Sequence, residues 1–387
     1  MQLSKSFAYN GLTVRVECAD QAPLTWVEEF LSPAFTPVED GTADCTVILE
    51  IDERRYATVL RWGAYPDGRR VAGFAFDSGP VELALWASPQ QDRVLFDVDS
   101  EVFYFVNQDG SHIRVLSASH HPSRRIALMR VVREFVMSDS WTRTRFVLHA
   151  GACELANAGI IIAGPKGAGK TTLLMYALGC AGARFIANDR VVVSVDGPHA
   201  MVRGMPTVVS VRAHTLRCFP AFERQWAASH YNERLSLQEA QQHGAPPVRA
   251  DPINLTPAQF CMLLGVPLCA SGRARILLFP RLTDDIEGLR VQELPHDVAI
   301  ERLAASIFAA SSAPQISQVF ALPTHASPPD AALVQELSRV LIRQVRSFDC
   351  RLGQPGAYTA VALQDFLRPL LAAPPTPLFT APVERRA

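Results

Sequence analysis

Four groups of residues have the types and spacing to do chemistry. The first is Gly164-Pro-Lys-Gly-Ala-Gly-Lys-Thr171, with Thr172 behind it, which fits the phosphate-binding pattern G-x-x-x-x-G-K-[ST]. Backbone N–H groups in such a loop point at phosphate oxygens, and a helix start adds partial positive charge. On this reading Gly164, Pro165, Lys166, Gly167, Ala168, Gly169, Lys170, Thr171 and Thr172 hold the phosphates of ATP or GTP. Lys170 reaches the β- and γ-phosphates, and Thr171 holds Mg²⁺ through its hydroxyl. The plain alternative is a glycine turn between a strand and a helix. The second group is His149, just before an apolar run. The third is Asn188-Asp189, at a break between two apolar runs, where a carboxylate could take a proton or hold a metal. Turn chemistry is its rival. The fourth is the set Arg203, Arg212, Arg273 and Arg275, any of which could neutralise phosphate charge; surface solvation is the competing role. Asp196, after Val191-Val-Val-Ser-Val, resembles the Mg²⁺-binding acid of phosphate-loop ATPases, although Asp196-Gly-Pro is also a good turn.

The elements around these residues come in the right order. Ile160, Ile161, Ile162 and Ala163 form a short apolar run, as a buried parallel strand does. Leu173, Leu174, Ala177 and Leu178 follow at helical spacing. Phe146-Val-Leu-His149 reads as the strand before, and Gly182 to Asp196 as two strands broken at Asn188-Asp189. Met201 to Arg212 is extended with a Gly-Met-Pro kink. Arg275 to Pro280 and Ser317 to Pro323 read as further strands, and Val361 to Leu371 as a helix. Ala331 to Phe348 is an amphipathic helix on its leucine and valine spacing. Residues 221–250 are polar and helical with a proline-rich exit, which suits a lid or partner surface.

Residues 1 to about 120 read as antiparallel β structure. Leu12–Cys18, Cys45–Ile51, Ala57–Trp62, Val71–Phe76, Val81–Trp86, Arg93–Val98 and Val102–Val106 are the expected strands, separated by turn signals. Trp26 to Leu31 is a short helix. Arg125 to Ser138 is a helix leading into the second domain. His120-His121 is a solvated loop pair.

Taken together, His149-Ala, the phosphate loop, Phe185-Ile-Ala-Asn-Asp-Arg-Val and Gly204-Met-Pro resemble the catalytic domain of HPr kinase/phosphorylase. The family shows these motifs in this order and at similar spacing. The match covers roughly 146–215, with a fainter echo to about 325. It resembles in particular the HPr-kinase-like proteins encoded beside peptide natural-product pathways, such as those of lasso peptides. The resemblance implies an α/β chain: a P-loop nucleotide-binding domain of HPr kinase/PEP carboxykinase-like fold behind a β-rich N-terminal domain. The expected division is 1–122 for the β-rich domain and 123–372 for the P-loop domain. A helical insertion falls at about 218–256, and 373–387 is a flexible tail. The implied activity is ATP-dependent transfer of the γ-phosphoryl group to a Ser or Thr hydroxyl on a peptide or small protein. The family's two acids fall on Asn188 and Asp189. An amide cannot take a proton, so Asp189 is left for base or metal duty, with Asn188 able to ligate or orient. The implied catalytic set is Asp189, His149, Lys170 and Arg212, and the implied metal set Thr171, Asn188 and Asp189. The missing first acid weighs against reversible phosphorylase chemistry. Rival readings are a P-loop ATPase or nucleotide-binding regulator with Asp196 on Mg²⁺, and a small-molecule kinase.

Totals narrow the classes. The chain has 387 residues, 48% hydrophobic and 19% charged, so it is globular and long enough for two domains. A net charge of −1 argues against a nucleic-acid binder. No apolar run approaches about 18 residues, so no membrane span is expected. The start lacks the layout of a signal peptide, and the cytoplasm is the expected compartment. The eight cysteines show no metal spacing and read as buried free thiols. Two of only three lysines, Lys166 and Lys170, fall in the phosphate loop. The number of copies in the assembly is left open, with a homo-oligomer among the options.

Overall fold

The structure, a computed structural model, describes residues 2–39, 41–65, 70–74, 80–86, 93–120, 124–242, 250–308, 320, 329–354 and 359–372. The expected tail 373–387, His121, the Gly244-Ala-Pro-Pro exit and all of the expected strand 317–323 except Phe320 lie outside the described residues. The chain is mixed α/β, built on two large sheets. It divides into two compact units. One comprises 1–142, 205–270 and 309–330; the other comprises 143–204, 271–308 and 331–387.

The first unit holds a nine-stranded sheet. Its strand order is Thr36–Val38, Leu3–Tyr9, Leu12–Cys18, Cys45–Ile51, His112–Ser117, Val102–Val106, Arg93–Asp97, Pro80–Trp86, Arg70–Phe74. Leu12, Val14, Val16 and Cys18 are buried and alternate with half-exposed residues, as period two requires. The sheet is mixed, not antiparallel throughout: Leu12–Cys18, Cys45–Ile51 and His112–Ser117 run parallel. Helix Gln21–Leu31 makes the crossover that a parallel pair needs.

Ala57–Trp62, expected as a strand, is the second half of helix Glu53–Trp62. Asp52 caps that helix by accepting from the Arg55 N–H at 2.9 Å. Tyr56, Val59 and Trp62, at i, i+3 and i+6, pack on the sheet face that carries Phe103 and Phe105. Helix Arg124–Ser140 lies on the other face. Its Arg130 donates to the Tyr104 hydroxyl at 3.0 Å, and Tyr104 alternates with those two phenylalanines. Arg130 also pairs with Asp97, and both are buried.

The expected insertion at 218–256 holds helices Pro220–Ala228 and Leu237–Gln242, then strand Ile253–Leu255, with helix Pro257–Leu264 just beyond. It and helix Arg124–Ser140 group with the first unit, not with the phosphate loop as the expected boundaries had it. Specific bonds explain the grouping. Trp26 Nε1 donates to the Glu233 carbonyl at 3.1 Å, Leu237 N–H to Glu29 at 2.9 Å, and Arg125 grips Glu239.

The second unit holds an eight-stranded sheet in the order Ala158–Ala163, Arg145–Leu155, Arg190–Ser194, Met201–Gly204, Ser271–Glu287, Arg346–Gln354, Leu289–Glu293; strand Arg184–Ala187 pairs with Arg145–Leu155. Ala158–Ala163 also pairs in parallel with Ser271–Glu287, so five strands close into a ring. The closure needs Gly159: a Cβ there would meet Val202 Cγ1 at 2.9 Å and the Arg273 carbonyl at 3.0 Å. Ile160, Ile161 and Ile162 are fully buried, as expected of a strand covered on both faces. Helix Ala331–Gln344 ends before Phe348, because residues 346–352 pair in parallel with Ile276–Leu282 instead of continuing the helix. Helix Thr359–Ala372 matches the expected one at Val361–Leu371. Among the described residues no helix is long and apolar enough to cross a membrane.

Candidate nucleotide-binding and phosphotransfer site

Strand Ala158–Ala163 delivers the chain into a loop, and helix Lys170–Leu178 carries it away. Gly169 ends the loop at φ +99°, in the left-handed region. A Cβ there would press on Leu282 at 3.0 Å and Leu352 at 3.2 Å, so the loop sits tight on the sheet below. Pro165 and Lys166 are exposed; Lys170 is buried. The Lys170 ammonium donates to the carbonyls of Gly164 at 2.8 Å and Pro165 at 3.1 Å. Burial lowers its pKa, and Asp189 opposes that shift. The loop therefore wraps its own backbone around a buried cation.

Beside the helix start, the Thr171 hydroxyl donates to Asn188 Oδ1 at 3.3 Å. Strands Arg184–Ala187 and Arg190–Ser194 break at Asn188-Asp189, as the sequence pattern predicts. The break puts Asp189 against its neighbours in the sheet. Ala150 N–H donates to the Asp189 carbonyl at 3.0 Å, and His149 pairs in register with Arg190. The side chains follow: His149 Nε2 lies 3.1 Å from Asp189 Oδ1, and Arg190 Nε lies 3.5 Å from Oδ2. Burial alone would raise the Asp189 pKa. The hydrogen bond and charge of His149, then Arg190 and Lys170, outweigh it and hold the carboxyl well below the usual carboxylate range. About one third of the side chain stays open to solvent.

A further wall comes from 306–308. His149 N–H donates to the Ser306 carbonyl at 2.8 Å, and Phe308 N–H to the Val147 carbonyl at 3.0 Å. Phe308 thereby faces the site: its ring centroid is 6.2 Å from that of His149, and the Arg190 guanidinium lies 5.2 Å over it.

The second unit thus brings together the loop, Lys170, Thr171, Asn188, Asp189 and His149. Arg212 is in the first unit, as N-cap residue of the short helix Ala213–Leu216. Arg273 bonds His199 at 2.7 Å, and Arg275 donates to the carbonyls of Leu371 and Leu370. In the parallel register Arg273 and Arg275 flank Gly159, at the end of the sheet away from the loop. Arg203 sits opposite Val192 in strand Met201–Gly204. Asp196 lies in an exposed bend beyond Ser194, whereas Asp189 precedes Arg190. At about 3.3 Å per residue, the intervening strand separates them by roughly 20 Å. Sequence reading missed Arg190 and Phe308. Arg190 could have been found as the residue opposite His149; nothing local marks Phe308.

The donor set fits a triphosphate with a divalent cation. Lys170 supplies a desolvated positive charge, the loop and helix start supply N–H groups, and the Thr171 hydroxyl and Asn188 amide oxygen converge. A carboxylate on the same ledge is oriented by an imidazole.

No family model matches the chain, and no curated protein matches it. Among solved structures, the chain is similar to the Hpr(Ser) kinase/phosphatase from Coxiella burnetii. The identity is 9%, the TM-score 0.25, and the match covers 58% of this chain and 88% of that one.

Proposed function

We propose that the second unit is an ATP-dependent phosphotransferase that moves the γ-phosphoryl group to a serine or threonine hydroxyl on a peptide or small protein. One observation carries this reading: a partly open carboxylate, Asp189, stands 3.1 Å from the His149 imidazole on the ledge beside the phosphate loop. Phosphoryl transfer depends on positioning and charge neutralisation more than on covalent work. Gly164–Thr172 would bind the phosphates, and Lys170 would face the β- and γ-oxygens. Thr171 and Asn188, with Asp189 beside them, would hold Mg²⁺, which when bound neutralises phosphate charge. Asp189 would accept the proton of the attacking hydroxyl, and His149 would keep its carboxylate aimed. Proton transfer comes late in a loose transition state, so an ionised carboxylate of low basicity suffices. The ATPase reading with Asp196 on Mg²⁺ loses support, since a five-residue strand separates Asp196 from the site. We place the reaction in the cytoplasm.

Incubation of the full chain with γ-labelled ATP, Mg²⁺ and a pool of Ser/Thr peptides tests this. Label on a peptide hydroxyl, lost in Lys170→Ala, is the expected result. Release of inorganic phosphate at one rate with and without peptides would sink it.

A further inference from the structure

The first unit contains a second concave site. Strands Leu12–Cys18, Cys45–Ile51 and His112–Ser117 are parallel, and beyond its carboxyl end each leads to a helix: Gln21–Leu31, Glu53–Trp62 and Arg124–Ser140. Gln21–Leu31 and Arg124–Ser140 pack against each other on one face of the sheet. Glu53–Trp62 packs on the opposite face, against Phe103 and Phe105. The adjacent parallel strands Leu12–Cys18 and Cys45–Ile51 therefore send their connections to opposite faces. Such a switch point opens a crevice beyond the strand ends, where open α/β sheets bind ligands.

A cavity of about 400 Å³ lies there. That volume falls within the range of small-molecule sites. Leu49, Ile51 and Pro23 give it an apolar wall, and Arg124 and Arg125 add two cations. Both guanidiniums are held from outside. Arg124 bonds the Ser100 carbonyl and pairs with Glu101 at 2.8 Å; Arg125 forks onto Glu239 at 2.6 and 2.7 Å. Neither glutamate is among the lining residues. Of the described lining residues only Asp20 is acidic, and it pairs with His120 at 2.9 Å. Neither helix that begins at the cavity has an acid in its first turn, and Asp20 makes no side-chain cap on the first of them.

We propose that this cavity binds a small organic anion, with its acidic group against Arg124 and Arg125 and its apolar body against Leu49, Ile51 and Pro23. The inference rests on the first unit alone and is independent of phosphoryl transfer.

Anilinonaphthalene sulfonate, an apolar ring system with one acidic group, is the probe, and uncharged phenylnaphthylamine is its control. Titrated into the full chain, the sulfonate should saturate one site, compete with inorganic phosphate and bind at least about tenfold more tightly than the control. Gln21→Glu adds an acid at the first turn of Gln21–Leu31. It should weaken the sulfonate about tenfold while leaving thermal stability equal or higher, since an acid suits a helix start. Ala22→Trp fills the cavity from an exposed position and should remove binding. Equal affinity for the uncharged control, or sulfonate binding unchanged in both variants, would overturn the proposal.

Discussion

Replacing Asp189 by Asn keeps the shape of the side chain and removes its charge and its capacity to accept a proton. Two losses should follow, and they are separable. The first is stability. Asp189 gives up a charge-assisted hydrogen bond from His149 at 3.1 Å and an ion pair with Arg190 at 3.5 Å. With a third of the side chain exposed, solvent screens both. The net cost is about 1–2 kcal/mol, which lowers Tm by roughly 2–8 °C for a unit of this size. The sign with pH is fixed by the depressed pKa. Stabilisation from an acid held below its usual range is complete above its unfolded pKa and is lost as pH falls through the folded one. The gap in Tm between wild type and variant should therefore stay constant above about pH 5 and close below about pH 4. The second loss is in rate. A missing general base costs about 10²–10⁴ in kcat. Affinity for the nucleotide without Mg²⁺ should change little, because Lys170 keeps its bonds to the Gly164 and Pro165 carbonyls. Label transfer, equilibrium binding of a non-hydrolysable ATP analogue and thermal scans at several pH values give the three readouts. A kcat within about tenfold of wild type, beside the expected fall in Tm, would refute the base role and leave Asp189 as a structural residue.

Three other perturbations follow from the same geometry. Asp97→Ala strips the partner from buried Arg130 in the first unit and should cost about 3–5 kcal/mol in urea unfolding, far more than an exposed pair. Gly169→Ala forces a left-handed φ and a contact at 3.0 Å with Leu282; it should destabilise by about 1–3 kcal/mol and weaken equilibrium binding of the non-hydrolysable ATP analogue. Burial pushes the Cys153, Cys261 and Cys350 thiols well up, and Cys45 up to about 12, so a thiol reagent near pH 8 should modify these four only after denaturant is added.

Much of the site could be read from the sequence because it is local. His149, the loop and Asn188-Asp189 all fall within the one stretch that builds the strands around strand Ala158–Ala163. The break between two valine- and isoleucine-rich strands marked the ledge, and the glycines marked the turn. What escaped depends on distant pairing. Phe308 reaches His149 only because Ile307 bridges Leu148. The grouping of residues 205–270 with the first unit likewise depends on distant partners, Glu29, Trp26 and Arg125. The segment at Ala57–Trp62 looked extended on its β-branched and aromatic content. Asp52 as a cap and the Tyr56, Val59, Trp62 spacing were the better guides there. The parallel pairs of the first sheet were invisible because alternation reports which face is buried and not which way the neighbour runs.

The two units are threaded through one another along the chain, which passes between them after Thr142, Gly204, Ala270, Phe308 and Asp330. This bears on how the protein is made. Gly159 pairs with Ala274, and at usual rates of synthesis that partner emerges roughly 6–23 s later. Until then the strand that carries the phosphate loop has an open hydrogen-bonding edge on the side that Ser271–Glu287 will cover. Neither unit can finish on the ribosome before the other is largely translated, and a cut near residue 143 parts residues 1–142 from segments 205–270 and 309–330 of their own unit, which stay on the fragment that holds the whole second unit. Fragment complementation, with the halves expressed together, is the appropriate way to divide this molecule.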